Sequence, residues 1–202
     1  FIRDTALSLS GLLNDKIGGA GVKPYQPPGL WAEVGLGGNP RFTQDHGDKL
    51  YRRSIYTYWK RSAPPPSMQI FDAPTREKCI IRRARTNTPL QALVTLNDTQ
   101  FIEASRHMAE RLMRAGGNTT QERLRYGFRL ATSRYPTKKE TQVLQTIFDN
   151  ASTKYLNSPD AATKLLSVGE VKRDESFPPN EHAAWTIVAS TILNLDETLS
   201  RE

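Results

Sequence analysis

Three short stretches of the chain carry side chains that could do chemistry. Arg82-Arg83-Ala84-Arg85-Thr86-Asn87-Thr88 delivers three guanidinium groups directly ahead of Pro89. Proline is favoured in the first turn of a helix, and Thr88 with Gln91 reads as a capping box, so a helix should open there. Free N–H groups and the macrodipole at such an end attract anions, and arginine forks match carboxylate, sulfate or phosphate. Arg82, Arg83, Arg85, Asn87 and Thr88 are therefore the candidate anion site. The same arginines also read as groups knitting loops to a helical core.

The second stretch runs Asp72-Ala73-Pro74-Thr75-Arg76-Glu77 after the apolar run Met68 to Phe71. Asp72 and Glu77 could pair as acid and base across a bound sugar, or serve as a turn residue and a surface ion. The third, Asp45-His46-x-Asp48, gathers two carboxylates and an imidazole within four residues. Asp45 and His46 could support acid/base work, although the spacing is no metal-ligand motif and a polar turn accounts for it equally. Cys79 is the only cysteine and stands beside Ile80 and Ile81, which reads as a small core residue. One cysteine and three scattered histidines offer no ligand set for haem or a structural metal, so no cofactor is expected in this chain.

Charge singles out the same region. The chain has 202 residues and a net charge of +7. Residues 51–86 hold nine Lys or Arg against two acids, leaving nineteen of each elsewhere. The excess is local and interleaved with Tyr51, Tyr56, Tyr58, Trp59 and Phe71. A basic and aromatic window of this kind suits acidic polysaccharide, a membrane surface or nucleic acid. No helix-turn-helix, zinc-finger or ribonucleoprotein motif supports the last.

The elements that must position these residues are mostly helical. Ala6, Leu9 and Leu13 mark a first helix that stops at Gly18-Gly19. Residues 17–50 are rich in Gly and Pro and read as loop around a short turn at Leu30 to Val34. Arg52 to Arg61 and Lys78 to Arg83 are dense in β-formers and could pair as one small β-hairpin; Tyr51, Ile55 and Trp59 also fit a helical row. Residues 88–202 read as the helical core. Asp98 caps a helix whose Phe101, Ser105, Met108 and Leu112 share a face. Thr137 to Glu140 is a capping box ahead of the stripe Leu144, Ile147, Phe148, Ala151 and Tyr155. Ser158-Pro159 starts a shorter helix, and Asn180 is the expected cap of a last one carrying Trp185, Val188, Ile192 and Leu195. The predicted fold is mainly α: a single compact helical bundle of about six helices in one domain, 1–202, with long N-terminal loops. No run of eighteen apolar residues is present. The start inside an amphipathic segment reads as the C-terminal part of a longer multidomain protein.

Residues 51–98, YRRSIYTYWKRSAPPPSMQIFDAPTREKCIIRRARTNTPLQALVTLND, resemble the planctomycete-specific C-terminal domain of unknown function. KPYQPPGLW, QDHGDKLYRRS and AAWTIVASTILNLDET carry the resemblance outward over nearly the whole chain. The resemblance implies an exported, periplasmic or otherwise extracytoplasmic protein of bacteria that break down complex, often sulfated, polysaccharides. Its implied partners are upstream domains of the same protein, often including a cytochrome c domain. It brings no activity with it. The function expected from residues and resemblance together is an accessory or interaction module that binds acidic polysaccharide; the alternative is a hydrolase or lyase on such a polysaccharide.

Overall fold

The computed structural model describes residues 1–34, 41–82 and 86–200. The protein is mainly α-helical. In chain order its helices are α1 (Ile2–Ser10), α2 (Leu30–Glu33), α3 (Pro66–Ile70), α4 (Pro89–Asn97), α5 (Thr99–Ala115), α6 (Thr120–Thr132), α7 (Lys138–Asn157), α8 (Pro159–Leu166), α9 (Pro179–Leu193) and α10 (Asp196–Leu199). The pieces beyond the expected six are largely single turns such as α2, α3 and α10. None of the described helices is long and apolar enough to cross a membrane. The chain divides into two compact units, one of residues 1–13 and 95–202, the other of residues 14–94, with the division passing through α4.

The helical unit is built on α5 and α9. Phe101, Ala104, Met108, Ala109 and Leu112 of α5 are buried, as are Ala183, Ala184, Trp185, Val188, Ala189 and Ile192 of α9. Helix α9 is apolar on nearly all sides because α5, α6, α7 and α8 all pack on it, the pattern of a central core helix. Leu144, Phe148, Ala151 and Tyr155 line the stripe of α7, and the Phe148 ring lies 4.6 Å from that of Trp185. Gly127 lets α6 approach α5, since a Cβ there would sit 2.8 Å from Leu112 Cδ2.

Helix ends follow capping chemistry. Asp98 accepts the Gln100 N–H, and both Thr119/Glu122 and Thr137/Glu140 form complete capping boxes. Two expected boundaries move. Helix α1 stops at Gly11, whose φ of 81° allows the Gly11 and Leu12 N–H groups to close on Ser8 and Leu7 carbonyls. Helix α9 starts at Pro179 with Pro178 at its cap, which puts Asn180 inside the first turn.

The unit of residues 14–94 is held by irregular backbone. The β-hairpin does not form among the described residues. The β-formers after Arg52 instead make isolated bridges, Asn14 with Arg52 and Val22 with Thr57, around two 3-10 turns at Gly47–Tyr51 and Ser54–Tyr56. Lys78 to Arg82 carries no strand, and Cys79, expected in the core, is exposed beside exposed Ile80 and Ile81. Pro64-Pro65-Pro66 opens α3, where proline at the first helical positions is tolerated.

Candidate functional site

Arg52 supports this irregular unit directly. It is buried, with its guanidinium donating to the carbonyl oxygens of Lys16 at 3.0 Å and Ala20 at 3.1 Å, and to Gly18. Its plane lies 3.9 Å over the Tyr56 ring. Arginine is well matched to this work because its planar fork reaches several carbonyls at once and stacks on an aromatic face. One member of the basic window is thus a structural tie.

Two of the candidate carboxylates, Asp45 and Asp72, are engaged locally. Asp45 accepts the Lys23 N–H at 2.8 Å and faces the Lys49 ammonium at 3.5 Å. His46 is exposed at the cap position of the first 3-10 turn. Asp72, at a positive φ of 57°, accepts both the Thr86 N–H at 2.8 Å and its hydroxyl at 2.9 Å. Glu77 is exposed, its N–H donating to Thr75 Oγ1. Of the anion-site residues, Arg82 and Asn87 are exposed and Thr88 is half-buried. Thr88 donates its N–H to Gln91 Oε1 at 3.3 Å, the return half of the expected capping box. The Gln91 amide also donates to Ile70 O and Thr86 Oγ1, tying the start of α4 to α3 and to Asp72. Arg83 and Arg85 lie outside the described residues.

A cleft of about 400 Å³ opens elsewhere in the same unit, lined chiefly by Gln26, Pro28, Trp31, Arg41, Phe42 and Gln44. Its geometry starts at Pro27-Pro28-Gly29. Gly29 takes φ 83°, ψ −19° at the cap of α2, a left-handed conformation cheap only for glycine, and this turn sends Trp31 back across the loop. The Trp31 ring meets Phe42 edge-on at 5.3 Å and Tyr58 at 5.9 Å. The Lys60 ammonium sits 4.6 Å from the Trp31 centroid, and that of Lys23 lies 5.5 Å from both Trp31 and Tyr58. Cation–π attraction holds these lysines beside the rings. Arg41 stands exposed at the rim. The result is a half-buried aromatic floor with two amides and a guanidinium around it, able to stack a flat apolar face and bond polar groups at its edge. The sequence reading placed Trp31 only in a short turn within loop. The available signal was a tryptophan fixed by a Pro-Pro-Gly bend, in a segment too irregular to bury it deeply.

The family described as PSD1, protein of unknown function (DUF1553), matches the chain over residues 1–148. The chain belongs to this family. No curated protein and no solved structure matches it.

In this PSD1-family member a second polar constellation lies in the helical unit, and it too escaped the sequence reading. Glu103 and Glu110 are two turns apart on α5 and both are buried. Glu103 Oε1 accepts the N–H groups of Glu170 at 2.7 Å and Val171 at 2.9 Å; Glu110 accepts that of Asp174 at 3.0 Å. Arg106 lies between them, 3.6 Å from Glu103 and donating to Val171 O. Two histidines, one on α5 and one on α9, join this cluster. His107 Nδ1 is 3.4 Å from Glu110; His182, wholly buried, has Nε2 3.2 Å from Arg106 O and 3.7 Å from Glu110. Among the described residues no group of three or more His, Cys, Asp or Glu side chains is arranged to hold a metal. The cluster's geometry is that of a clamp on segment 169–174.

The clamp has a pH signature. Burial pushes His182 below the ordinary 6.5, against the opposing pull of Arg106 O and Glu110. Burial alone would raise Glu110, but the His107 hydrogen bond, the Asp174 N–H and the histidine charges outweigh it and hold the group below 4.5. As pH falls through 6.5 the unfolded chain protonates a histidine that the folded chain keeps neutral, so stability declines. As it falls through 4.5 and below, the Glu110 contribution is lost as well. Urea midpoints should therefore drop steadily between pH 7 and 4, and His182→Gln should flatten the upper part of that decline. A midpoint independent of pH over this range would remove the clamp's electrostatic role.

Proposed function

We propose that this PSD1-family chain is a non-catalytic binding module of an exported multidomain bacterial protein, with an acidic glycan as its ligand and no cofactor of its own. The Trp31 cleft carries this reading. Sugar rings present apolar C–H faces that stack on aromatic side chains, and their hydroxyls and carboxylate or sulfate groups suit amide and guanidinium donors. Gln26, Gln44 and Arg41 supply those donors around Trp31 and Phe42, within a unit whose basic window attracts anions. The alternative, a hydrolase or lyase, gains less support, because Asp45 and Asp72 are engaged by Lys23, Lys49 and Thr86 rather than directed at a shared cleft. Export and an upstream partner domain are inferred from the family resemblance.

Calorimetric titration of the chain with a uronic-acid or sulfated hexasaccharide tests the reading. Trp31→Ala should weaken binding by about 5- to 150-fold, the worth of one stacked ring at roughly 1–3 kcal/mol, with the melting temperature little changed. Unaltered affinity in that variant would remove the cleft from the account. Appearance of shortened or unsaturated products during the titration would favour the alternative.

A further inference from the structure

Helix α6 ends at Ser133, which takes a left-handed φ of 63° and accepts no further helical turn. The reversal folds Tyr135 back onto the exposed face of the helix it has just left. There the Arg125 guanidinium lies 4.2 Å, and that of Arg129 4.7 Å, from the Tyr135 centroid. Arg129 Nη1 also donates to the Tyr135 hydroxyl at 2.6 Å. Arg125, Arg129 and Tyr135 are all exposed, Tyr135 by 49%.

Glu122, Glu140 and Glu197 do not balance these charges. Glu140 and Glu197 both pair with Arg134, at 2.6 and 2.5 Å, and Glu122 closes its capping box with Thr119. Among the described residues Arg125 and Arg129 have no ion-pair partner. Two like charges four residues apart on a helix repel, and one tyrosine gathers them against that repulsion. Three residues past Tyr135, α7 opens with exposed Lys138-Lys139, cations at the helix end where the dipole favours anions. A basic surface that leaves its guanidinium N–H groups open to solvent, on a helix where acids are already engaged, is charge-complementary to an oxyanion.

We propose that Arg125 and Arg129, clamped by Tyr135, form an oxyanion-binding site on the helical unit that takes a carboxylate or sulfate group. The site does not rest on the Trp31 reading. Each guanidinium offers N–H groups left over by its contact with Tyr135, and the ring fixes their direction so that little side-chain freedom is lost on binding.

Side-chain Nε–H signals of the intact chain, followed by NMR during titration with sodium sulfate and separately with sodium acetate at constant ionic strength, test the site directly. Saturable shifts at Arg125 and Arg129 in the sulfate arm, the acetate arm or both are expected; the arm that saturates at lower concentration identifies the preferred group. Tyr135→Leu should weaken the response about tenfold, and Arg125→Gln should weaken that of Arg129 by a similar factor. Trp31→Ala should leave the two arginine signals responding as before, which separates failure of this site from failure of the cleft. Shifts no larger than those produced by sodium chloride, or an undiminished Arg129 response in Arg125→Gln, would overturn the proposal.

Discussion

Replacing Trp185 by Ala should cost about 3–5 kcal/mol, the range for deleting a fully buried aromatic side chain. Trp185 is the largest wholly buried side chain, at 0% exposure. It stacks on Phe148 of α7, and the Arg123 guanidinium covers its ring at 5.8 Å while pairing with Glu181 at 2.8 Å. The cavity left by truncation would lie between α7 and α9, and because surrounding structure relaxes only partly, the lost transfer energy and the cavity should both be felt. Total stabilities of such domains are about 5–15 kcal/mol, and the loss should appear as a large fall in the urea midpoint with little change in slope. Trp185→Phe retains most of the ring and should recover more than half of the loss. A midpoint unchanged by Trp185→Ala would mean that α9 does not form the centre of the helical unit.

Glu103→Ala should be comparably severe, at about 3–5 kcal/mol. The substitution removes the acceptor for the Glu170 and Val171 N–H groups and the counter-charge of Arg106, whose side chain is 1% exposed. Leaving buried donors and a buried cation without compensation costs far more than the net worth of the original bonds. Backbone geometry adds to the constraint. Gly169 has φ 95°, and a Cβ there would lie 2.3 Å from Glu103 Cδ, so segment 169–174 approaches α5 only because residue 169 is glycine. Glu103→Gln keeps an acceptor oxygen and should cost much less than Glu103→Ala. Hydrogen exchange at Glu170 and Val171 reports the same clamp locally, with protection lost in Glu103→Ala. Retained protection in that variant would show that these two amides are held by something other than Glu103.

How much of this was readable from the chain depends on the range of the interaction. The α7 stripe from Leu144 to Tyr155 and the Asp98 and Thr137 caps were legible because helical periodicity and capping are local and repeat every few residues. The start of α9 was misplaced by a residue or two because Pro178-Pro179 and Asn180 offer competing starts, and proline at the first position prevailed. The β-formers from Ile55 to Trp59 were ambiguous in sequence, and the structure resolves them as 3-10 turn and isolated bridges: β-propensity needs a partner strand, and Arg52 instead ties this segment to the Lys16 to Ala20 loop. The polar clamp was invisible for a different reason. Glu103, Glu110 and His182 are separated by up to 79 residues, and nothing in a helical stripe distinguishes a buried acid that caps a distant loop from one that faces water. The same limit hid Trp31 and the Arg125, Tyr135 and Arg129 clamp, whose meaning lies in how Gly29 and Ser133 turn the chain back on itself.

Isothermal titration of the wild-type chain with a sulfated or uronic-acid hexasaccharide at two salt concentrations tests the proposal that it binds an acidic glycan without transforming it. Saturable binding that weakens as salt rises is expected, because exposed charges are screened over about 8 Å at physiological ionic strength, with the oligosaccharide recovered intact. Absence of binding at low salt, or recovery of cleaved sugar, would contradict it.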